Sequence, residues 1–147
     1  MEPVLIREET FEKARKEIGK NSGKLIIFSS DNDDLNRKVL ENEKINILLL
    51  NQSKKKDKIN QRNSGFNQVL ARIAKQKNVA IGINLDEIIN SEKEKKQEII
   101  ARIKQNIKIC NKNNLKMKFI SENKRDIYDL KSLGLVLGMP TWMVKNI

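Results

Sequence analysis

Short apolar runs alternate along the chain with segments whose apolar residues recur at helical spacing. Because the segments between the runs are long enough for crossover helices, the pattern indicates parallel β-α units. The third run is apolar throughout from Ile47 to Leu50, which is typical of a strand buried on both faces. The five predicted strands are Pro3–Ile6, Lys24–Ser29, Ile45–Leu50, Val79–Asn84 and Lys116–Ser121.

The segments after the first two strands predict helices. One carries Phe11, Ala14 and Ile18 at helical spacing. The other covers Asp31–Asn42, and Ser30 or Asp31 is its expected N-cap, because short polar side chains accept hydrogen bonds from the free N–H groups of a first helical turn.

Two further helices are predicted in the second half of the chain. One follows the fourth strand, from Ser91 to about Asn111, and Ser91 and Glu94 have the spacing of a capping box. Another covers about Asp126 to Leu137, with Gly138 ending it and Pro140 starting a last turn. The apolar face of the long helix is predicted to consist of Ile99, Ile100, Ile103, Ile107 and Cys110.

The length of 147 residues predicts one α/β domain over residues 1–147. A full eight-stranded barrel of parallel β-α units takes about 250 residues, so five strands predict a partial, TIM-type barrel with outer helices or an open parallel sheet. The connection Asn51–Gly65 is longer than most strand-to-helix loops, and long polar loops on a rigid scaffold often carry function.

The composition restricts the function. Thirty Lys and Arg residues against 19 Asp and Glu give a net charge of +11, which predicts a polyanionic partner without separating RNA from DNA or an acidic membrane. The apolar runs are too short to span a bilayer, so no membrane partner is expected. The absence of His removes the commonest general base and metal ligand, and a single Cys favours a reducing, cytoplasmic compartment, or the nucleus and nucleolus in a eukaryote.

The segment Asn63–Leu85 combines a helix and a strand with basic residues. Phe66, Val69, Leu70, Ile73 and Ala74 have helical spacing and are expected to pack on the sheet. Ser64 is the expected N-cap, Gly65 permits close approach to the first turn, and a helix start of this kind attracts phosphate. An ordinary amphipathic helix behind a solvated lysine loop accounts for the same pattern. The outward basic residues here are Arg72, Lys75 and Lys77, and Lys54, Lys55, Lys56 and Arg62 precede the helix.

The same segment closely resembles the core signature of the ribonuclease P protein component 3 family, in which a Ser-Gly pair precedes a His-Val-Leu-Ala-Arg-x-Ala pattern. Upstream, Asn36 and Arg37 match the family's Asn-Arg helix, and downstream the segment Phe119–Pro140 is similar to its Ile-Ser strand end and Asp-Leu helix. The likeness runs from about Val4 to Pro140. The matching central positions are Ser64, Gly65, Val69, Leu70, Ala71, Arg72 and Ala74.

The chain departs from the family pattern in three ways. Gln68 replaces the usual His, and the Pro often found before the Asp-Leu step is replaced near Ile127. The family's barrel is longer, so the chain resembles only its middle five strands.

The resemblance implies a noncatalytic protein subunit of ribonuclease P, which supports the catalytic RNA in removing 5′ leaders from precursor tRNA. The implied partners are ribonuclease P RNA, precursor tRNA, component 2 and the other ribonuclease P proteins. The implied Mg²⁺ acts with the RNA, and no catalytic residue, metal site or cofactor is expected on the protein. The expected RNA-binding residues are Arg37, Lys54, Lys55, Lys56, Arg62, Ser64, Gln68, Arg72, Lys124 and Arg125.

Two alternatives follow from the residues. A generic structured-RNA-binding or ribosome-associated α/β protein has the same charge. A metal-dependent phosphoesterase needs clustered His, Asp and Glu ligands, and the only tight acidic group, Asp31, Asp33 and Asp34, is interpreted as a helix start favoured by the helix dipole. Trp142 and Met143 are expected to pack on the core or a partner rather than to stack on a base.

Overall fold

Five parallel strands and seven helices make up the part of the chain that the computed structural model describes, residues 2–57 and 59–147. The strands are β1 (Val4–Arg7), β2 (Ile26–Ser29), β3 (Ile47–Leu50), β4 (Ala80–Asn84) and β5 (Met117–Ile120). The helices are α1 (Phe11–Lys20), α2 (Asp33–Asn42), α3 (Gln68–Lys77), α4 (Leu85–Asn90), α5 (Lys93–Lys112), α6 (Ile127–Val136) and α7 (Thr141–Lys145).

The strands pair in the order β1-β2-β3-β4-β5, each parallel to the next. Consecutive order distinguishes a barrel segment from a doubly wound sheet, in which the strand order reverses. Leu5 on β1 and Ile120 on β5 line the same cleft, so the sheet curves until its two edges face one another. The predicted α/β class and partial barrel are therefore confirmed.

Alternate side chains of each strand point to opposite faces of the sheet. Phe28, Leu48 and Ile81 belong to the large core between the sheet and the helices, whereas Ile27 and Leu49 form a small cluster on the other face with Ile47. Every residue of β2 and β3 is buried, which explains why both are apolar apart from Ser29 at the end of β2.

Two predicted helix starts are wrong. Asn32, not Ser30 or Asp31, caps α2, and its side chain accepts hydrogen bonds from the N–H groups of Asp34 and Leu35. Ser91 follows α4 as its C-cap, and its hydroxyl donates to the carbonyl of Glu87. It therefore forms no capping box with Glu94, since α5 begins after Glu92 without a side-chain cap.

The helix faces agree with the prediction except at a few positions. On α3, Leu70, Ala71 and Ala74 are buried, but Val69 is 46% exposed and does not pack on the sheet. On α5, Ile99, Ile103, Ile107 and Cys110 are buried as predicted, together with Arg102 and Asn106. Near the C-terminus, Met143 is fully buried and the Trp142 indole N–H donates to Asn111 at 3.0 Å, so both pack on the protein itself.

Candidate functional site

A cleft of about 380 Å³ opens between α2, the β3–α3 connection, α3 and α5. Four of the predicted RNA-binding residues line it: Arg37 from α2, Arg62 and Ser64 from the connection, and Gln68 from α3. Asp33 and Asp34, in the first turn of α2, line the same cleft. The positions that carry the family resemblance are about 30 residues apart in sequence and meet here.

Ser64 lies under this cleft rather than at the start of a helix. Its side chain is buried, its hydroxyl donates to the carbonyl of Phe66 at 3.4 Å, and its own carbonyl accepts from the Gln52 side chain at 2.9 Å. The N-cap of α3 is Asn67, whose side chain accepts from the N–H of Leu70 at 3.0 Å. The prediction that Ser64 caps α3 is therefore wrong.

Gly65 permits a close approach, as the sequence predicts, but the atoms that approach it belong to the side chains of Asp33 and Lys55. Its φ of +73° favours glycine, and a Cβ there would lie 2.8 Å from Asp33 Oδ1 and 3.1 Å from Lys55 Cε. Any other residue at position 65 would displace the Asp33–Lys55 ion pair. Glycine thus lets α2 and the connection meet at the cleft.

Gln68, at the family's usual His position, connects two helices. Its Oε1 accepts a hydrogen bond of 2.7 Å from the side-chain amide of Asn113, which follows α5. Asn113 also donates to the carbonyl of Ile109 at 2.8 Å. The half-buried Gln68 side chain is therefore held in place at the wall of the cleft.

The β3–α3 connection is anchored by Glu87 of α4, which the sequence did not indicate. Its Oε2 accepts from the N–H groups of Gln52 at 2.7 Å and Ser53 at 3.1 Å, and its Oε1 accepts from the Ser53 hydroxyl at 3.1 Å. Charge-assisted hydrogen bonds of this kind fix a backbone firmly. The first residues of the connection therefore have one defined conformation.

Arg102 of α5 anchors the middle of the connection. It is 2% exposed, and it donates from Nη1 to the carbonyl of Gln52 at 3.2 Å and from Nε to Asp57 Oδ1 at 3.1 Å. The pKa of Asp57 is held below its ordinary 3.8, first by the N–H of Asn63 and then by Arg102 and Arg62, against the opposing effect of desolvation. Lys58 is outside the described residues.

The predicted lysines of the connection differ in their surroundings. Lys54 pairs with Asp31 at 3.4 Å with its side chain 80% exposed. Lys55 pairs with Asp33 and is only 12% exposed, whereas Lys56 is exposed. The acidic group at the start of α2 thus neutralises two of the cations that the sequence assigned to RNA.

The remaining predicted arginines lie at different places. Arg37 is exposed and donates to Glu41 at 2.6 Å, one helical turn further along α2. Arg72 is exposed on α3 but does not line the cleft. Arg125 and Lys124 follow β5, at the edge of the sheet where the strands end, and are separate from the other group.

Arg125 borders a second cleft, of about 570 Å³, on the inner face of the sheet. Asp86, in the same cleft, accepts from the Ser121 hydroxyl at 2.6 Å and the Glu122 N–H at 2.9 Å. These two hydrogen bonds, and then the charge of Arg125, hold the pKa of Asp86 below 3.8 despite partial desolvation. The turn that presents Arg125 is therefore fixed to α4.

Three polar side chains at the ends of neighbouring strands form a chain of hydrogen bonds that the sequence analysis missed. Asn84 donates to Asn51 at 2.9 Å, and Asn51 donates to Ser29 at 2.7 Å. The available signal was that each of these polar residues ends or directly follows a predicted strand, so the register of a parallel sheet brings them together.

Within residues 2–57 and 59–147, no group of three or more Asp, Glu, Cys or His side chains is arranged to hold a metal ion. No helix in this part of the chain combines the length and the apolar character needed to cross a membrane.

The sequence of the chain is similar to those of known proteins. It is 31% identical over 127 residues to the ribonuclease P protein component 3 of Methanosarcina acetivorans, an alignment that covers 85% of this chain and 50% of that protein. It is 26% identical over 131 residues to the protein of the same name from Methanococcus maripaludis strain C7, covering 89% and 53%. No protein-family model matches.

A solved structure has the same fold. A chain of the cryo-EM structure of archaeal ribonuclease P with mature tRNA superposes with a TM-score of 0.79 at 24% identity, over 99% of this chain and 63% of that one. The fold is thus that of a partial parallel α/β barrel found in a ribonucleoprotein. The chain is a homologue of ribonuclease P protein component 3, as its sequence indicated, and it spans about half the length of the curated relatives.

Proposed function

We propose that the chain acts as a noncatalytic protein subunit of ribonuclease P, which supports the catalytic RNA while it removes 5′ leaders from precursor tRNA. The observation that carries the proposal is the convergence of Arg37, Ser64, Gly65 and Gln68 around one cleft. Arg37 and the Ser64-Gly65 pair match the family pattern in two distant segments, and they share a surface with Gln68, which stands at the usual His position. The named relatives are ribonuclease P proteins.

The cleft suits contact with folded RNA. Arg37 and Arg62 present guanidinium groups, which match phosphate oxygens in a two-pronged geometry. Gln61, Asn63 and Asn67 add side-chain amides to the cleft lining, and amides can hydrogen-bond to base edges and 2′-hydroxyls. Neutralising phosphates in this way lowers the cost of packing RNA helices together, and Mg²⁺ would act on the RNA side of such an interface.

The partners proposed for the chain are ribonuclease P RNA, precursor tRNA in the assembled enzyme, component 2 and the other ribonuclease P proteins. Affinity purification of the tagged chain, with sequencing of bound RNA, tests this set. We expect enrichment of ribonuclease P RNA together with component 2. Enrichment of ribosomal RNA instead would favour a ribosome-associated protein and contradict the proposal.

The RNA contacts are tested by alanine variants of Arg62, Arg72 and Arg125, with Lys13, an exposed residue of α1 outside both clefts, as the control. Each arginine that contacts a phosphate should lower the slope of log affinity against log salt by roughly 0.7–0.9. Lys13→Ala should leave the slope unchanged. If no arginine variant changes the slope, these assignments are wrong.

The purified chain, without RNA, should bind structured RNA but leave it intact. An incubation of radiolabelled precursor tRNA with Mg²⁺ and protein measures this directly. Site-specific cleavage by RNA-free protein would replace the proposal with a phosphoesterase function.

A further inference from the structure

The helix-to-strand connections meet at one edge of the sheet because the strands are parallel. Backbone hydrogen bonds align them: Asn46 donates to Ile26 at 2.9 Å, Ala80 donates to Asn46 at 3.0 Å, and Ile81 donates to Lys116 at 3.0 Å. Segments far apart in sequence are therefore neighbours here. Together with the last residues of the preceding helices α1, α3 and α5, these connections are residues 20–25, 43–46, 75–79 and 112–116.

These four connections are strongly basic. They contain seven lysines and one acidic residue, Glu43, which pairs with Arg15 at 3.5 Å, and one of the lysines, Lys20, pairs with Glu17 at 3.4 Å. The other six are exposed, and no carboxylate of residues 2–57 or 59–147 forms an ion pair with them. We call these six the lysine pole: Lys24, Lys44, Lys75, Lys77, Lys112 and Lys116.

Helix dipoles account for only half of the pole. Lysines in a last helical turn stabilise the helix, and Lys75, Lys77 and Lys112 occupy such positions. Lys24, Lys44 and Lys116 lie beyond the helices, one to three residues before a strand, where no helix terminus requires them. At the other edge of the sheet, the connections 8–10 and 30–34 contain five acidic residues and no base, and the basic residues there belong to the β3–α3 connection and to residues 121–126.

The positive charge of the pole acts on a neighbouring lysine of the sheet, and a hydrogen bond holds one of its members in place. The pKa of Lys118, on β5, is lowered first by burial and then by the charge of Lys116. Lys75 donates to the carbonyl of Asn114 at 3.0 Å, which holds its ammonium group beside the 112–116 connection. A cluster that repels itself costs folding free energy, so a counter-charge from a partner would relieve it.

We propose that the lysine pole binds the phosphate backbone of a second RNA segment, separate from the cleft that contains Arg37. The identification of the polyanion as RNA rests on the proposed function. None of the six lysines lines that cleft. Ammonium groups are point charges without the two-pronged geometry of arginine, so the pole is suited to phosphates of any sequence rather than to base edges.

The first test is protection from lysine acetylation with and without ribonuclease P RNA, read by mass spectrometry. Lysines of the pole should be protected at least threefold by RNA, whereas Lys13 and Lys16 on α1 should react equally in both samples. Equal reactivity of the pole lysines in both samples would overturn the proposal.

The second test compares two triple variants with the same loss of charge. Lys24→Gln/Lys44→Gln/Lys116→Gln changes the pole, and Lys13→Gln/Lys16→Gln/Lys104→Gln changes exposed positions within helices. The pole variant should reduce the salt slope of RNA binding by roughly 2–3, as expected for three lost phosphate contacts, and the control variant by less than 1. The corresponding triple arginine variant of the pole should retain the slope, which excludes misfolding as the cause.

Further arms separate this proposal from its alternatives and from the proposed function. Equal salt slopes of RNA binding for the two glutamine variants would mean that positive charge attracts RNA diffusely over the surface. This result would overturn the proposal that the lysine pole binds RNA. Loss of binding to phosphatidylserine vesicles with unchanged RNA binding would assign it to a membrane surface. If wild-type protein shows no preference for ribonuclease P RNA, the proposed function fails, while a lower slope of the pole variant on any duplex RNA still supports the pole.

Discussion

Glu87 holds the start of the β3–α3 connection through both of its carboxylate oxygens. Glu87→Gln removes the charge and turns one acceptor oxygen into a donor that faces an N–H or O–H group. We expect a loss of about 1–2 kcal/mol in the free energy of unfolding, measured with urea. Amide exchange at Gln52 and Ser53 should accelerate as well.

Glu94→Gln is the matched control, because Glu94 is exposed at the start of α5 and makes no comparable set of contacts. It should change the free energy of unfolding by a few tenths of a kcal/mol at most. A loss for Glu87→Gln no larger than this would show that the connection is held by other contacts.

Asp86 links stability to pH. Its pKa is lower in the folded chain, so the carboxylate contributes stability that is fully present above the unfolded pKa and is lost as pH falls through the folded value. Asp86→Asn should therefore make the decline in unfolding free energy between about pH 5 and pH 3 less steep. Urea unfolding at several pH values measures the slope.

Ser121→Ala tests the same link while keeping the carboxyl group. It removes the hydrogen bond that contributes most to the lowered pKa of Asp86, so it should also flatten the pH dependence. Identical slopes for wild type and both variants would contradict the assignment.

The first turn of α3 allows a test of which residue caps it. Asn67→Ala should cost about 1 kcal/mol of unfolding free energy, since it leaves the N–H of Leu70 without its side-chain acceptor. Asn67→Ser, which can still cap, should retain most of the stability. A full-sized loss in Asn67→Ser would mean that the contribution of Asn67 does not come from capping.

The strands could be predicted from sequence because burial on both faces requires uninterrupted apolar runs, as in β2 and β3. The helix starts were harder. Ser30, Asp31 and Asn32 are all suitable caps, and the path of the chain toward α2, which the sequence does not show, decides among them. The six-residue helix α4 gives too few turns for a periodic pattern, so Glu87 was missed with it.

The cleft was predictable only in part. The resemblance indicated Arg37, Ser64 and Gln68, but the predicted apolar face of the long helix did not include Arg102, which is buried there. Its burial depends on Gln52 and Asp57, which lie 50 and 45 residues earlier in the chain. Contacts between residues so far apart in sequence depend on how the helices pack on the sheet. No local spacing of residues predicts them.

At the scale of the whole molecule, the common direction of the strands decides which charged connections lie near one another. Parallel strands place every strand-to-helix connection at one edge of the sheet and every helix-to-strand connection at the other. The acidic residues of connections 8–10 and 30–34 therefore lie at one edge and the lysine pole at the other, while the β3–α3 connection and residues 121–126 add basic residues to the first edge. Among the described residues, the six lysines of the pole have no carboxylate partner in an ion pair and so contribute uncompensated positive charge to the second edge.

The open sheet gives the last prediction. Within the described residues, β1 pairs only with β2 and β5 only with β4, so each has an unpaired edge, and Leu5 on β1 is 44% exposed. Exposed edges of this kind invite association unless they are covered. We expect a second copy or a partner protein to cover at least one of the two edges. Leu5→Lys should weaken that association at least tenfold. Analytical ultracentrifugation with and without component 2 measures the change. Ile59→Lys, at a 93% exposed position of the β3–α3 connection, introduces the same charge and should leave it unchanged. A wild-type chain that stays monomeric at high concentration and does not bind component 2 would show that the bare edges are tolerated.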